Sequence, residues 1–144
     1  MRAAAAPTLV LDTNVVLALW LFRDERLQAL ANVLERGEAL WLLTRPMLDE
    51  LQHEFDAPRC VRYGVVREDV LPRVLALGRQ VEPASAGARP PGLRCTDPDD
   101  QKFIDLALQL GGATLLSRDR AVLKLARRAR PLGVEILTPE RWAP

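Results

Sequence analysis

Thr8-Leu9-Val10-Leu11-Asp12-Thr13-Asn14 is the stretch on which the fold turns. A short apolar run without polar alternation reads as a strand covered on both faces, and it hands polar side chains to its carboxyl end. The same grammar returns at Ala39–Leu43, at Thr114–Leu116 followed by Ser117-Arg118-Asp119, and at Val134–Leu137. Gln80–Glu82 is expected as a further short strand. Helical spacing occupies the intervals: Val15–Phe22, Glu25–Arg36, Pro46–Phe55, Pro58–Tyr63, Arg67–Leu77, Pro98–Leu110 and Arg120–Ala129. Gly37, Gly78 and Gly111-Gly112 stand where helices should stop. Strands alternating with helices predict an α/β fold, a three-layer α/β/α sandwich with a mostly parallel central sheet. The Pro-, Gly- and Ala-rich stretch 83–96 is expected to be a loop and the one mobile segment. Thr138-Pro139-Glu140 reads as the cap and first turn of a terminal helix.

A chain of 144 residues fits one domain, 1–144. A domain of this size buries roughly 68–70% of its unfolded surface, enough to need no disulfide or structural metal. Cys60 and Cys95 therefore read as reduced thiols, and a cytoplasmic protein is expected. Met1-Arg2 and Ala3–Ala6 superficially resemble a signal peptide, but Asp12 and Asn14 interrupt the apolar run. No apolar segment is long enough to span a bilayer, so no membrane association is expected.

In a parallel sheet, functional groups gather beyond the carboxyl ends of the strands. Asp12 follows the first strand, Glu50 lies on the helix after the second, and Asp119 follows the Thr114–Leu116 strand. Asp97, Asp99 and Asp100 open the helix leading into that strand. Clustered carboxylates raise one another's pKa, and a hard divalent cation removes the conflict. Mg²⁺ or Mn²⁺ suits an all-oxygen site, whereas one histidine and two cysteines support neither zinc nor an iron–sulfur cluster. Such a pocket suits phosphodiester hydrolysis, in which the ion activates water and stabilises charge on the leaving oxygen. Each acid also has a plainer reading. Asp12, Asp97 and Asp119 have the placement of turn or helix caps, and Glu50 that of a solvated helix residue.

Leu11-Asp12-Thr13-Asn14-Val15 resembles the opening motif of PIN domains, nucleases common in bacterial toxin–antitoxin pairs. Thr44–Leu51 resembles the second block, with Glu50 as its acid. Cys95-Thr96-Asp97-Pro98-Asp99-Asp100-Gln101-Lys102-Phe103 is similar to the third block of a bacterial branch of toxin components. Leu115-Leu116-Ser117-Arg118-Asp119 resembles the fourth, and Leu137-Thr138-Pro139-Glu140 the family's ending. The resemblance implies a Mg²⁺- or Mn²⁺-dependent ribonuclease, often a homodimer and sometimes silenced by an antitoxin. It implies Asp12, Asp100 and Asp119 as metal ligands and Glu50 as a ligand or water-orienting base. Asn14 and Ser117, with Thr13, would brace the carboxylates by hydrogen bonds. Asp97, Asp99 and Asp100 compete for the third position. Asp100 is favoured because its interval to Ala107 matches the family's helix, which leaves Asp97 as a cap or supporting group.

Net charge is +1, and withdrawing four site acids from 19, against 20 bases, leaves about +5 elsewhere. Arg45, Arg94, Lys102, Arg118 and Arg120 flank the acidic blocks and form a candidate phosphate-binding rim. A GC-rich coding sequence would supply the same arginine excess. His53 reads as solvated, the cysteines lack a partner base, and Trp20, Phe22 and Trp41 read as core or dimer contacts. Two rival functions remain at this level. A haloacid-dehalogenase-like phosphatase would need a second Asp where Asn14 stands. A non-catalytic PIN-like interaction module would have no use for a metal.

Overall fold

Five strands form one sheet: Thr8–Leu11 (β1), Leu40–Leu43 (β2), Gly78–Gln80 (β3), Thr114–Leu116 (β4) and Glu135–Leu137 (β5). Their order is β3-β2-β1-β4-β5, and all four pairings are parallel. The computed structural model describes residues 6–64, 67–84, 90 and 92–144. Residues 1–5, from the stretch with a superficial likeness to a signal peptide, and residues 85–89 and 91 of the expected mobile loop lie outside the described residues.

Position in the sheet explains the composition of β1. It is the central strand, so Leu9 and Val10 are fully buried and neither face can alternate with polar residues. From β1 the chain winds outward to β2 and β3, then crosses back to β4 and β5 on the other side. Parallel crossovers are right-handed as a rule, which sends the helices of the two halves to opposite faces of a sheet wound in this order. The first carries α1 (Thr13–Trp20), α2 (Gln28–Glu35), α3 (Arg45–Phe55), α4 (Pro58–Val61) and α5 (Arg67–Leu77). The second carries α6 (Gln101–Leu110), α7 (Arg120–Leu123) and α8 (Ala126–Ala129). Helix α1 packs on α2 and α3, whereas α6 lies on β1 and β4. The winding thus reverses between β1 and β4, and in open α/β sheets it is beyond the carboxyl ends of the strands at such a switch point that ligands bind.

Helix α6 shows how the sequence sets an element. Phe103, Ile104, Leu106 and Ala107 form its buried stripe. Gly111 ends it at φ 58°, a left-handed conformation that glycine adopts without penalty. Tryptophans 20 and 41 stack in the core with centroids 5.4 Å apart.

Three elements differ from expectation. The third strand begins at Gly78 instead of Gln80. Gly78 pairs with Trp41, and a Cβ there would sit 2.7 Å from Leu43 Cδ2 and 3.1 Å from the Val74 carbonyl. The missing side chain lets β3 approach β2, so this glycine starts a strand as well as ending a helix. The helix expected over Arg120–Ala129 is two four-residue helices, broken at Lys124-Leu125. The expected terminal helix is a single 3-10 turn, Pro139–Arg141. No helix among the described residues is long and apolar enough to cross a membrane.

Candidate metal centre

The carboxyl ends of β1 and β4 are where the acidic segments meet. Leu11 pairs with Leu116, and the next residue continues the ladder, the Asp12 N–H donating to the Leu116 carbonyl at 3.0 Å. Asp12 and Ser117 therefore emerge side by side. The fully buried Ser117 hydroxyl donates to Asp12 Oδ2 at 2.7 Å and accepts from the Asp119 N–H at 3.0 Å. One hydroxyl thus ties the acid after β1 to the loop after β4. The Asn14 N–H donates to Asp12 Oδ1 at 3.4 Å, closing the cap of α1. Asp119 likewise caps α7, accepting from the Ala121 N–H at 2.8 Å.

The third segment arrives on a 3-10 turn, Pro98–Asp100, that feeds α6. Asp97 caps it by accepting from the Asp99 N–H at 3.0 Å. Gln101 pins the preceding loop to the helix, accepting from the Cys95 N–H at 2.5 Å and donating to the Leu93 carbonyl at 3.0 Å. The result is a tight group: Asp97, Asp100 and Asp119 each place a carboxylate oxygen within 4.8 Å of the others. Asp97 serves as a cap and joins this group at once, so the two readings of it are compatible. Asp99 is exposed.

The electrostatics of the group are unfavourable as it stands. Asp100 is buried, and its Oδ2 has no hydrogen-bond partner. Its carboxyl is pushed up from the ordinary 3.8 to about 7, first by burial, then by the charge of Asp12, and then by a hydrogen bond to the Asp119 carboxyl together with that group's charge. Asp12 is raised as well, mainly by burial, with the Ser117 hydroxyl pulling the other way and Glu50 and Asp119 adding repulsion. A buried carboxylate with an unpartnered oxygen, grouped with two more carboxylates, is an arrangement that a bound cation would stabilise. The donor set is oxygen throughout, which fits a hard divalent ion better than zinc.

Glu50 reaches the site from α3 but is already engaged. Its Oε2 accepts from the Thr13 hydroxyl, and its Oε1 pairs with Lys102 Nζ at 2.9 Å. Lys102 also donates to the Asp99 carbonyl. Thr13 therefore braces Glu50, an arrangement separated by 37 residues in sequence.

Several side chains expected at the site make other contacts. The Asn14 amide oxygen accepts from Arg59 at 2.7 Å, so this residue supports Asp12 through its backbone alone. Its exposed position on the first turn of α1 turns the amide toward α4. Arg118 is committed to Asp24, at 2.8 Å, and to Glu140, at 2.6 Å, which anchor the β4–α7 loop to the α1–α2 connection and the C-terminal turn. Arg26 pairs with Asp24 too, at 2.9 Å, and the two guanidinium groups hold the Asp24 carboxyl well below the usual carboxylate range. Arg45 pairs with Asp49 along α3. Arg94 and Arg120 are exposed and make no ion pair with any described residue. Nothing in the local sequence points to Arg59, Gln101, Asp24 or Glu140, because their partners lie on other segments. His53 is exposed, and Cys60 and Cys95 are buried free thiols whose pKa values burial raises, which suits neither to nucleophilic work.

Fold and site define a parallel α/β domain with an acidic cluster at its topological switch point. A family model described as PIN domain matches residues 8–121, and the chain belongs to that family. PIN domains are generally nucleases, and the matched span contains all the carboxylates of the acidic cluster. A search of curated proteins found no match.

Proposed function

We propose that this protein is a Mg²⁺- or Mn²⁺-dependent endoribonuclease and that it acts as the toxin of a toxin–antitoxin pair. The observation that carries the nuclease reading is the convergence of Asp97, Asp100 and Asp119, with Asp100 Oδ2 buried and without a hydrogen-bond partner. An interaction module gains nothing from such a group, which costs stability unless a cation is bound. Asp97, Asp100 and Asp119 would hold the ion, with Asp12 beside them. Bound there, a divalent ion supplies the charge that eases deprotonation of water and offsets charge on the phosphodiester.

The chain's own residues prepare the rest. Ser117 fixes Asp12 and the Asp119 loop together, so the carboxylates need little reorganisation. Glu50, held by Thr13 and Lys102, is the remaining carboxylate able to orient or deprotonate a water. Arg94 and Arg120 are exposed rim cations with no ion pair to a described residue, and so are available to phosphates. The choice of RNA, the antitoxin partner and the homodimer rest on the resemblance of the sequence blocks to the toxin branch. Exposed Val61, Tyr63 and Leu75 supply apolar surface for a second copy. The same reading puts the protein in the cytoplasm, where RNA is at hand and thiols such as Cys60 and Cys95 stay reduced.

The test is cleavage of a mixed-sequence RNA by purified protein. Activity is expected with Mn²⁺ or Mg²⁺ and none in EDTA. Asp119→Asn and Asp100→Asn should each lower the rate by about 100-fold or more. Undiminished cleavage by both variants would sink the assignment.

A further inference from the structure

The acidic cluster is divided electrostatically. On one side, Asp97, Asp100 and Asp119 converge with no cationic side chain of the described residues paired to any of them, and Asp100 Oδ2 is buried without a partner. On the other side, Glu50 has both oxygens occupied, one by the Thr13 hydroxyl and one by the Lys102 ammonium. Asp12 lies between, feeling the charges of both Glu50 and Asp119. Lys102 is not a loosely held surface cation. It sits two residues beyond Asp100, is about three-quarters buried, bonds to Glu50 and to the Asp99 carbonyl, and lies 4.9 Å from the centre of the Phe103 ring.

We propose that the site takes one divalent ion and that the Lys102 ammonium replaces a second. This rests on the metal-dependent reading above and deepens it. Two-ion phosphodiesterase sites hold their ions roughly 3.5–4 Å apart, bridged and flanked by carboxylates. Here the carboxylate that a second ion would need is Glu50, and its charge is already matched. A dication entering beside it would face the ammonium's repulsion and would have to displace two hydrogen bonds. Lysine has three donors, and the two contacts made leave one N–H for a phosphate oxygen of the substrate. Glu50 is then a positioning residue for Lys102 and for water, outside the set of metal ligands.

The experiment counts Mn²⁺ bound per chain by calorimetry and, independently, by the electron paramagnetic resonance of free Mn²⁺. Wild type should bind one ion. Lys102→Met should bind two, because it releases Glu50, and Lys102→Met with Glu50→Gln should return to one. Glu50→Gln alone should keep one ion with affinity changed by less than about 3-fold, against the 10–100-fold loss typical when a metal-site partner is removed. Two ions in wild type would overturn the inference and leave the metal-dependent reading intact. A single ion in folded Lys102→Met would overturn it as well. No bound ion in wild type would overturn both. If Lys102→Met does not fold, the wild-type count and the Glu50→Gln affinity decide, and a Glu50→Gln loss of 10-fold or more refutes the assignment.

Discussion

Asp100→Asn should make the metal-free protein more stable at neutral pH, although it removes a residue of the proposed metal site. In the folded chain the Asp100 carboxyl titrates at about 7 against an ordinary 3.8. A group whose folded pKa is raised holds its proton more tightly when folded. Its favourable contribution is complete below the unfolded pKa and is lost as pH rises through 4 toward 7. At 1.36 kcal/mol per pH unit, the ionised form costs the fold roughly 4 kcal/mol, and water reaching the half-buried Asp97 and Asp119 trims this to roughly 2–4. Asparagine is the same shape, carries no charge and can donate to Asp119, so it avoids the cost. With about 3 °C of Tm per kcal/mol for a domain of this size, the variant should melt roughly 6–12 °C higher at pH 8 in EDTA. The difference should vanish near pH 4, where wild type is protonated. Saturating Mn²⁺ should raise wild type by an amount worth about 2.7 kcal/mol at 100 times Kd and leave the variant almost unmoved. The assay is a set of melting curves at pH 4, 6 and 8, with EDTA or Mn²⁺. A variant less stable than wild type at pH 8 in EDTA, or a difference independent of pH, would refute the electrostatic argument and leave Asp100 a structural residue.

RNA affinity should fall as salt rises, and charge reversal at Arg94 and Arg120 should weaken binding and flatten that slope by about one for each phosphate no longer neutralised, as titration by fluorescence anisotropy would show. Reversal at Arg118 should instead lower Tm and Mn²⁺ affinity, because this side chain holds the Asp119 loop to Asp24 and Glu140; an effect confined to RNA binding would contradict its structural assignment. Gly78→Ala should destabilise by roughly 1–3 kcal/mol in urea unfolding, since its Cβ meets Leu43 and the fixed Val74 carbonyl. A neutral result there would mean that β3 is free to move away from β2.

How much can be read without the fold depends on the range of the interactions. Leu9 and Val10 announce a central strand because burial on both faces excludes polar alternation, and the polar break at Asp12 marks where the strand leaves the core. The five strands and the helices between them follow from such local signals, as do the caps at Asp12, Asp97 and Asp119. Boundaries are less legible where a residue has two meanings: Gly78 stops α5 and also lets β3 close on Trp41 and Leu43. The single helix expected after Arg120 fails for a related reason, since the span to β5 must be bridged by two short helices and a 3-10 turn ending at Gly133 with φ 81°.

Local sequence is enough to specify an alternating α/β chain with acids at the ends of its first and fourth strands. It also places three aspartates close together without saying which of them faces the others. That Asp97 joins Asp100 and Asp119, that Ser117 ties Asp12 to the fourth strand, and that Glu50 is divided between Thr13 and Lys102 emerge only in the folded chain. Folding also takes Arg118 out of the rim and gives it to Asp24 and Glu140. The cause is separation along the chain. Burial pattern and capping act within a few residues, whereas these contacts join segments up to 105 residues apart and exist only once the winding around β1 has brought them to one edge.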